Sequence, residues 1–206
     1  MMDSEKPSVS RRSAILGASA AAVVLALGAG VKLAEGTDTV LRPPGGQDAD
    51  RLFARCIRCM RCVEACPEHA IVISKVEDGL AGVRAPKMDF RRGFCDFCNG
   101  EYVCRKVCPT DCFTEFDPLK DKIGIAKVSA NECLLFHRSA KCSKRCIDVC
   151  EYDALELDDQ NHLVVHEDLC NGCGACEYVC PAASYQVGNS SVERGINVVA
   201  KEGGAR

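Results

Sequence analysis

Cys170-Asn171-Gly172-Cys173-Gly174-Ala175-Cys176-Glu177-Tyr178-Val179-Cys180-Pro181 has the spacing C-x2-C-x2-C-x3-C-P. That is the arrangement with which bacterial proteins hold a [4Fe-4S] cluster, the fourth cysteine serving a second cluster. The first three thiolates sit on one tight loop and reach three irons of one cubane. Gly172, Gly174 and Ala175 are small enough to let backbone N–H groups approach the cluster sulfides. Pro181 ends the run as the chain turns away.

Three more runs precede it. Cys56-x2-Cys59-x2-Cys62-x3-Cys66-Pro67 repeats the pattern in full. Cys95-x2-Cys98-x5-Cys104-x3-Cys108-Pro109 is stretched between its second and third cysteines, and Cys133-x8-Cys142-x3-Cys146-x3-Cys150 is the most irregular and lacks the proline. Together they take 16 of the 17 cysteines, which reads as one unit copied four times and predicts four [4Fe-4S] clusters. In 206 residues aromatic content is 5% and Trp is absent, so apolar packing alone is poor material for the core. Disulfide frameworks belong to short chains with dispersed cysteines, and structural zinc takes isolated C-x2-C pairs. Runs of four ending in Cys-Pro favour iron–sulfur over both. Cys112 is left over, as a small buried apolar residue or as a substitute ligand for the stretched second run.

Between the runs lie short, partly alternating segments, as half-buried strands should be: His69–Ile73, Phe113–Phe116 and Ala154–Leu157. Each is followed by a polar turn and a second apolar stretch, such as Ile123–Ile125 or Leu163–Val165. A cluster loop, a short helix at the last cysteines and a hairpin form one repeat, and two repeats make the α+β ferredoxin fold. The expected architecture is therefore α+β, with two ferredoxin-like modules over residues 51–187. The first run pairs either with the second or with the fourth; connection length leaves both open.

Ahead of the modules, Ser10-Arg11-Arg12-Ser13-Ala14-Ile15-Leu16 opens an Ala/Gly/Val/Leu-rich run. Residues 1–35 thus read as a twin-arginine export leader or a retained anchor. Ser10, Arg11 and Arg12 fit that signal, while Ala14 replaces its usual Phe and no Lys follows Leu16. Clusters are built before export, so a folded-state route to the periplasm suits this cargo. Residues 36–50, with Pro43-Pro44-Gly45-Gly46, read as a linker, and residues 188–206 as a polar tail.

Charge is uneven. Residues 51–106 carry 11 Lys+Arg against seven Asp+Glu, or +4, whereas 147–177 carry nine Asp+Glu and no Lys or Arg, or −9. This predicts a basic face near the first two clusters and an acidic face near the last. The overall charge of −3 argues against a nucleic acid partner. His69, His137, His162 and His166 do not fall at ligand spacing. No C-x-x-C-H, G-x-G-x-x-G or P-loop is present, so haem, nicotinamide, flavin and ATP chemistry have no visible site. The chain reads as a conductor of electrons rather than a catalyst, with no catalytic residue assigned.

A twin-arginine leader followed by four such runs resembles the NapG/MauM family. The resemblance implies that the 16 run cysteines, from Cys56 to Cys180, are the cluster ligands. It implies a non-catalytic subunit of a quinol dehydrogenase complex at the outer face of the inner membrane. Its partners would be a NapH-like quinol-oxidising membrane protein and a periplasmic acceptor, nitrate reductase or an intermediate carrier. Membrane association would come through that partner or the uncleaved leader. The alternatives are the methylamine-utilisation counterpart, the iron–sulfur β subunit of another molybdenum oxidoreductase, and a cluster-assembly factor.

Overall fold

The computed structural model describes residues 40–137, 141–182 and 193–201; the expected leader lies outside them. Helices are short: α1 Ala49–Arg55, α2 Arg61–Glu64, α3 Val103–Lys106, α4 Arg145–Asp148 and α5 Ala175–Val179. Among the described residues, none is long and apolar enough to cross a membrane. Strands β1 Ile71–Ile73 and β2 Pro86–Met88 form an antiparallel hairpin with Ile71 opposite Met88. Strands β4 Leu155–Leu157 and β5 Leu163–Val165 form another, with Leu155 opposite Val165.

The third sheet joins β3 Ile125–Val128 to β6 Ile196–Val199, from opposite ends of the second module. β6 lies in the stretch read as a polar tail, so that boundary is corrected: the fold extends to Val199. Ile196 and Val198 point inward and pack in the main core. The expected pairing of Ile123–Ile125 with Phe113–Phe116 does not form, and no strand occupies 113–116.

The 36–50 linker is corrected as well. Its described part folds onto the first module, with Arg42, Pro43, Pro44, Gly45 and Gly46 all buried. Thr114 donates from its backbone N–H, 2.8 Å, and from its hydroxyl, 3.1 Å, to the Gly45 carbonyl. This contact closes the first module as β3–β6 closes the second. Pro43 and Pro44 have no N–H to donate, so a ladder cannot grow there. Asp48 then caps α1 through Arg51 N–H, and Leu52 is buried beside Phe113 and Cys112.

The repeat is legible in backbone angles. The residue two positions before each third cysteine caps the short helix in the left-handed region: Met60 (φ 64°), Tyr102 (φ 44°), Lys144 (φ 60°) and Gly174 (φ 82°). The residue three positions after the fourth cysteine is left-handed too, at His69 (φ 52°), Asp111 (φ 49°) and Asp153 (φ 50°). Six of these seven are not glycine. Left-handed non-glycine residues persist only where surrounding structure fixes them, and here the fixed object is the loop carrying the thiols.

Candidate iron–sulfur centres

Each of α2 to α5 carries the third cysteine of its run, and the fourth follows just past the helix end. A run therefore presents three thiols to one side and its last thiol to the other. Cys56, Cys59 and Cys62 surround a cavity of about 390 Å³ together with Cys108, the last cysteine of the second run. We call this site I. Cys95, Cys98 and Cys104 face Cys66, the last cysteine of the first run, closely enough to oppose one another's ionisation; this is site II. Cys133, Cys142 and Cys146 meet Cys180 at site III, and Cys170, Cys173 and Cys176 meet Cys150 at site IV, each around about 350 Å³. All 16 run cysteines are placed in groups of four. Of the two pairings open in the sequence, the structure has first with second and third with fourth.

The thiols are not drawn together around one ion, and the pockets at sites I, III and IV have cysteine as their only Cys, His, Asp or Glu lining. Among the described residues, no three Cys, His, Asp or Glu side chains could hold a single metal ion. The sites also aim donors at sulfur, as cluster thiolates require. Ala126 N–H points to Cys170 Sγ and Ala154 N–H to Cys150 Sγ, both at 3.4 Å. Burial pushes the Cys62, Cys104 and Cys146 thiols up to about 12 and Cys173 to about 11, with the neighbouring cysteines adding to the rise. Loading such a site must release protons, because the thiolate is the ligand. Cys108 departs from this trend. Burial raises it, but the Cys112 backbone N–H and the Thr110 hydroxyl and backbone outweigh that and leave it lowered.

Cys112 is buried, with Sγ 3.3 Å from Cys108 Sγ, and lines site I. A substitute-ligand role for the second run's own loop does not match this position: Cys108 crosses to the first run's site and takes Cys112 with it. None of the four histidines lines sites I, III or IV. His162 stacks on Phe136 at 4.4 Å, His166 lies 2.9 Å from Glu156, and His137 contacts the Asn131 carbonyl.

The four sites form a continuous series. α2 and α3 join I to II, and α4 and α5 join IV to III. Sites II and IV touch directly through Cys95 N–H, which donates to the Cys173 carbonyl at 2.8 Å. Phe97 from the site II loop meets Tyr152, which lines site IV, edge-on at 6.3 Å. The order is I–II–IV–III. This aromatic bridge had no signal in the sequence, since its members come from different repeats.

Arg58, Arg61 and Arg84 line site I. The acidic stretch borders site IV and reaches site III: Leu163 lines site III, and Asp158 pairs with His162, which stacks on Phe136 next to it, while Arg145 lines the same site.

Glu177, next to Cys176, is buried and accepts from Val198 N–H at 2.7 Å, tying α5 to β6. Burial pushes its carboxyl up, against the Val198 N–H and Arg194. A raised carboxyl contributes stability below its unfolded value and loses it as pH climbs through the folded one. Glu177→Gln keeps an acceptor for Val198 and removes the buried charge. Anaerobic melts of the loaded protein should show the variant more stable at pH 8, with the gap narrowing toward pH 5. A gap independent of pH would refute this. Glu177→Ala should cost about 1–3 kcal/mol by stranding the Val198 donor.

The 4Fe-4S dicluster domain family matches residues 55–112 and 139–184, one segment per module. Ferredoxin-type protein NapG of Escherichia coli (strain K12) is 33% identical over 173 residues, covering 78% of this chain and 74% of its own. Methylamine utilization ferredoxin-type protein MauM of Paracoccus denitrificans (strain Pd 1222) is 32% identical over 189 residues, covering 84% and 83%. Ferredoxin-type protein NapF of Escherichia coli (strain K12) is 29% identical over 148 residues, covering 70% and 82%. With two dicluster segments on its two modules and relatives that run alongside it for most of their length, this chain belongs to the NapG/MauM family of ferredoxin-type 4Fe-4S electron-transfer proteins.

Proposed function

We propose that the chain holds four [4Fe-4S] clusters, one in each of sites I to IV, and serves as the exported electron carrier of a quinol dehydrogenase. The observation that carries this is the contiguous series of four four-thiol groups. Each cluster, when bound, stores one electron at a potential set by its surroundings. The chain's own residues position the thiols, supply N–H donors to them and cover them: Phe90 packs over Gly174, and Phe113 closes site I.

The leader at 1–35 directs this folded cargo to the periplasm by the twin-arginine route. A NapH-like membrane protein oxidises quinol and gives up electrons to one end of the series. The other end supplies a periplasmic acceptor, nitrate reductase or a carrier leading to it. The methylamine-utilisation counterpart is the second reading, supported by a MauM identity of 32% beside 33% for NapG.

Metal and sulfide analysis tests the core of the proposal, on anaerobically purified protein lacking residues 1–35. About 16 iron and 16 sulfide per chain, with coupled [4Fe-4S]⁺ EPR signals after dithionite, is the expected result. Zinc, or little iron with oxidised thiols, would sink it. Reduction by quinol in membranes carrying the membrane partner, and not in its absence, is the expected result for the donor side.

A further inference from the structure

Site I is one end of the series and holds a thiol that reaches the surface. Cys59 is the only exposed thiol of the 17. Exposed Arg58 on the loop and Arg61 at the start of α2 line the cavity with it, Arg84 lines it from the β1–β2 connection, and exposed Arg55 ends α1 just before Cys56. Ile57, at 63% exposed, stands between them. Among the described residues none of Arg55, Arg58 and Arg61 joins an ion pair. Arg58 donates only to the Ala81 carbonyl, 3.1 Å away. Between Cys56 and Cys66 the single carboxylate is Glu64.

Unpaired arginines on a surface normally find solvent or carboxylates. Three of them close to the one exposed ligand of an electron site form a guide for an approaching anion. We propose that this arginine collar is the docking face for an acidic patch on an electron-transfer protein that exchanges electrons with site I. The inference rests on the four-cluster reading and adds the chemistry of one partner. A protein partner fits better than an anionic lipid surface. A bilayer would seal the open mouth at Cys59, whereas an acidic protein surface can meet the arginines and use Ile57 and the exposed Ile73, Val76 and Leu80 of the adjoining hairpin for apolar contact.

The net charge of −3 makes the test a matter of sign. If whole-molecule charge governed encounter, an anionic reagent would react faster as salt rises. If the collar governs, it reacts more slowly. The probe is the anionic cobalt(III)–EDTA complex, which takes one electron from the dithionite-reduced protein and becomes cobalt(II), with no proton transferred. Hexaamminecobalt(III), a cation, is the control.

The second-order rate with the anion should fall about tenfold between low and high ionic strength. Arg55→Gln/Arg58→Gln/Arg61→Gln should lower the low-salt rate by a similar factor and flatten the salt dependence, with iron content unchanged. The cation should show neither effect. If the triple variant loses iron, Arg55→Gln/Arg61→Gln spares the Arg58 bond and should retain about half the logarithmic effect. A rate that rises with salt, or variants that keep the parent's dependence, would overturn the proposal. So would collar-dependent sedimentation with vesicles of anionic phospholipid, which would assign the face to a membrane. A full iron complement with no salt effect rejects the collar alone; absent iron rejects the four-cluster reading beneath it.

Discussion

Replacing Cys66 with Ala is expected to empty site II and leave site I loaded, although Cys66 belongs to the first run. The reason is the geometry at the end of α2. Cys62, inside the helix, faces Cys56 and Cys59, while Cys66 comes after the helix cap and faces Cys95, Cys98 and Cys104. Cys108 makes the reciprocal crossing after α3. Iron should fall from about 16 to about 12 per chain, or lower if the empty site destabilises its neighbour. A single loss does not say which cluster went, so double variants decide. Cys66→Ala with Cys98→Ala should lose no more than the single, because both remove ligands of one cluster. Cys66→Ala with Cys59→Ala should lose two clusters, giving about 8 iron. Were the first run paired with the fourth, Cys66→Ala with Cys173→Ala would be the non-additive pair. Anaerobic iron and sulfide counts on the three doubles distinguish these arrangements.

That pairing was not readable from the sequence, and the reason is physical. Cys66 and Cys95 are 29 positions apart, Cys108 and Cys133 are 25, and Cys150 and Cys170 are 20. Connections so alike in length have closure costs that differ by a few tenths of a kcal/mol. What selects the pairing is packing of α2 against α3 and α4 against α5, which spacing does not encode. The cysteines themselves were legible because thiol spacing is fixed by the size of the cubane. Strands were legible where an apolar stretch pairs with its neighbour in sequence, as in β4–β5. Reading failed where the partner is distant. Ile196-Asn197-Val198-Val199 is a four-residue stretch in a polar tail, and only its pairing with Ile125–Val128 makes it a strand. Phe113–Phe116 has the alternation of a strand, yet it lies against Pro43-Pro44-Gly45-Gly46, which cannot complete a ladder. The left-handed caps at Met60, Tyr102 and Lys144 were hidden because the side chains there carry no turn signal; Gly174 alone announces its conformation.

Gly172→Ala should be among the most damaging single changes in the chain, and the damage should come from a backbone crossing rather than from conformation. Gly172 has φ +76°, and a Cβ there would lie 2.4 Å from Gly124 N and 2.5 Å from Gly124 O. The site IV loop crosses the start of β3 with two glycines in contact. Around that crossing, Ile123 N–H donates to Asn171 O at 2.8 Å and Ala126 N–H reaches Cys170 Sγ. A methyl group must push the two segments apart and break both. Left-handed strain adds about 1–2 kcal/mol and the overpacking about 1–3, so a loss of about 2–5 kcal/mol is expected. Two comparisons separate the terms. Gly100 also has a positive φ, +86°, but nothing lies within 4 Å of its missing Cβ. Gly100→Ala should therefore cost about 1–2 kcal/mol and keep every cluster. The first run already carries Arg58 at the position matching Gly172, with φ 57°, so the left-handed conformation by itself accepts a side chain there. Because site IV is internal to the series, its loss in Gly172→Ala should also isolate site III. Reduced protein should then show about 12 iron and an uncoupled EPR signal from the orphaned site beside the coupled pair of sites I and II. If Gly172→Ala and Gly100→Ala prove equally mild, the crossing at Gly124 is not what holds the site IV loop in place.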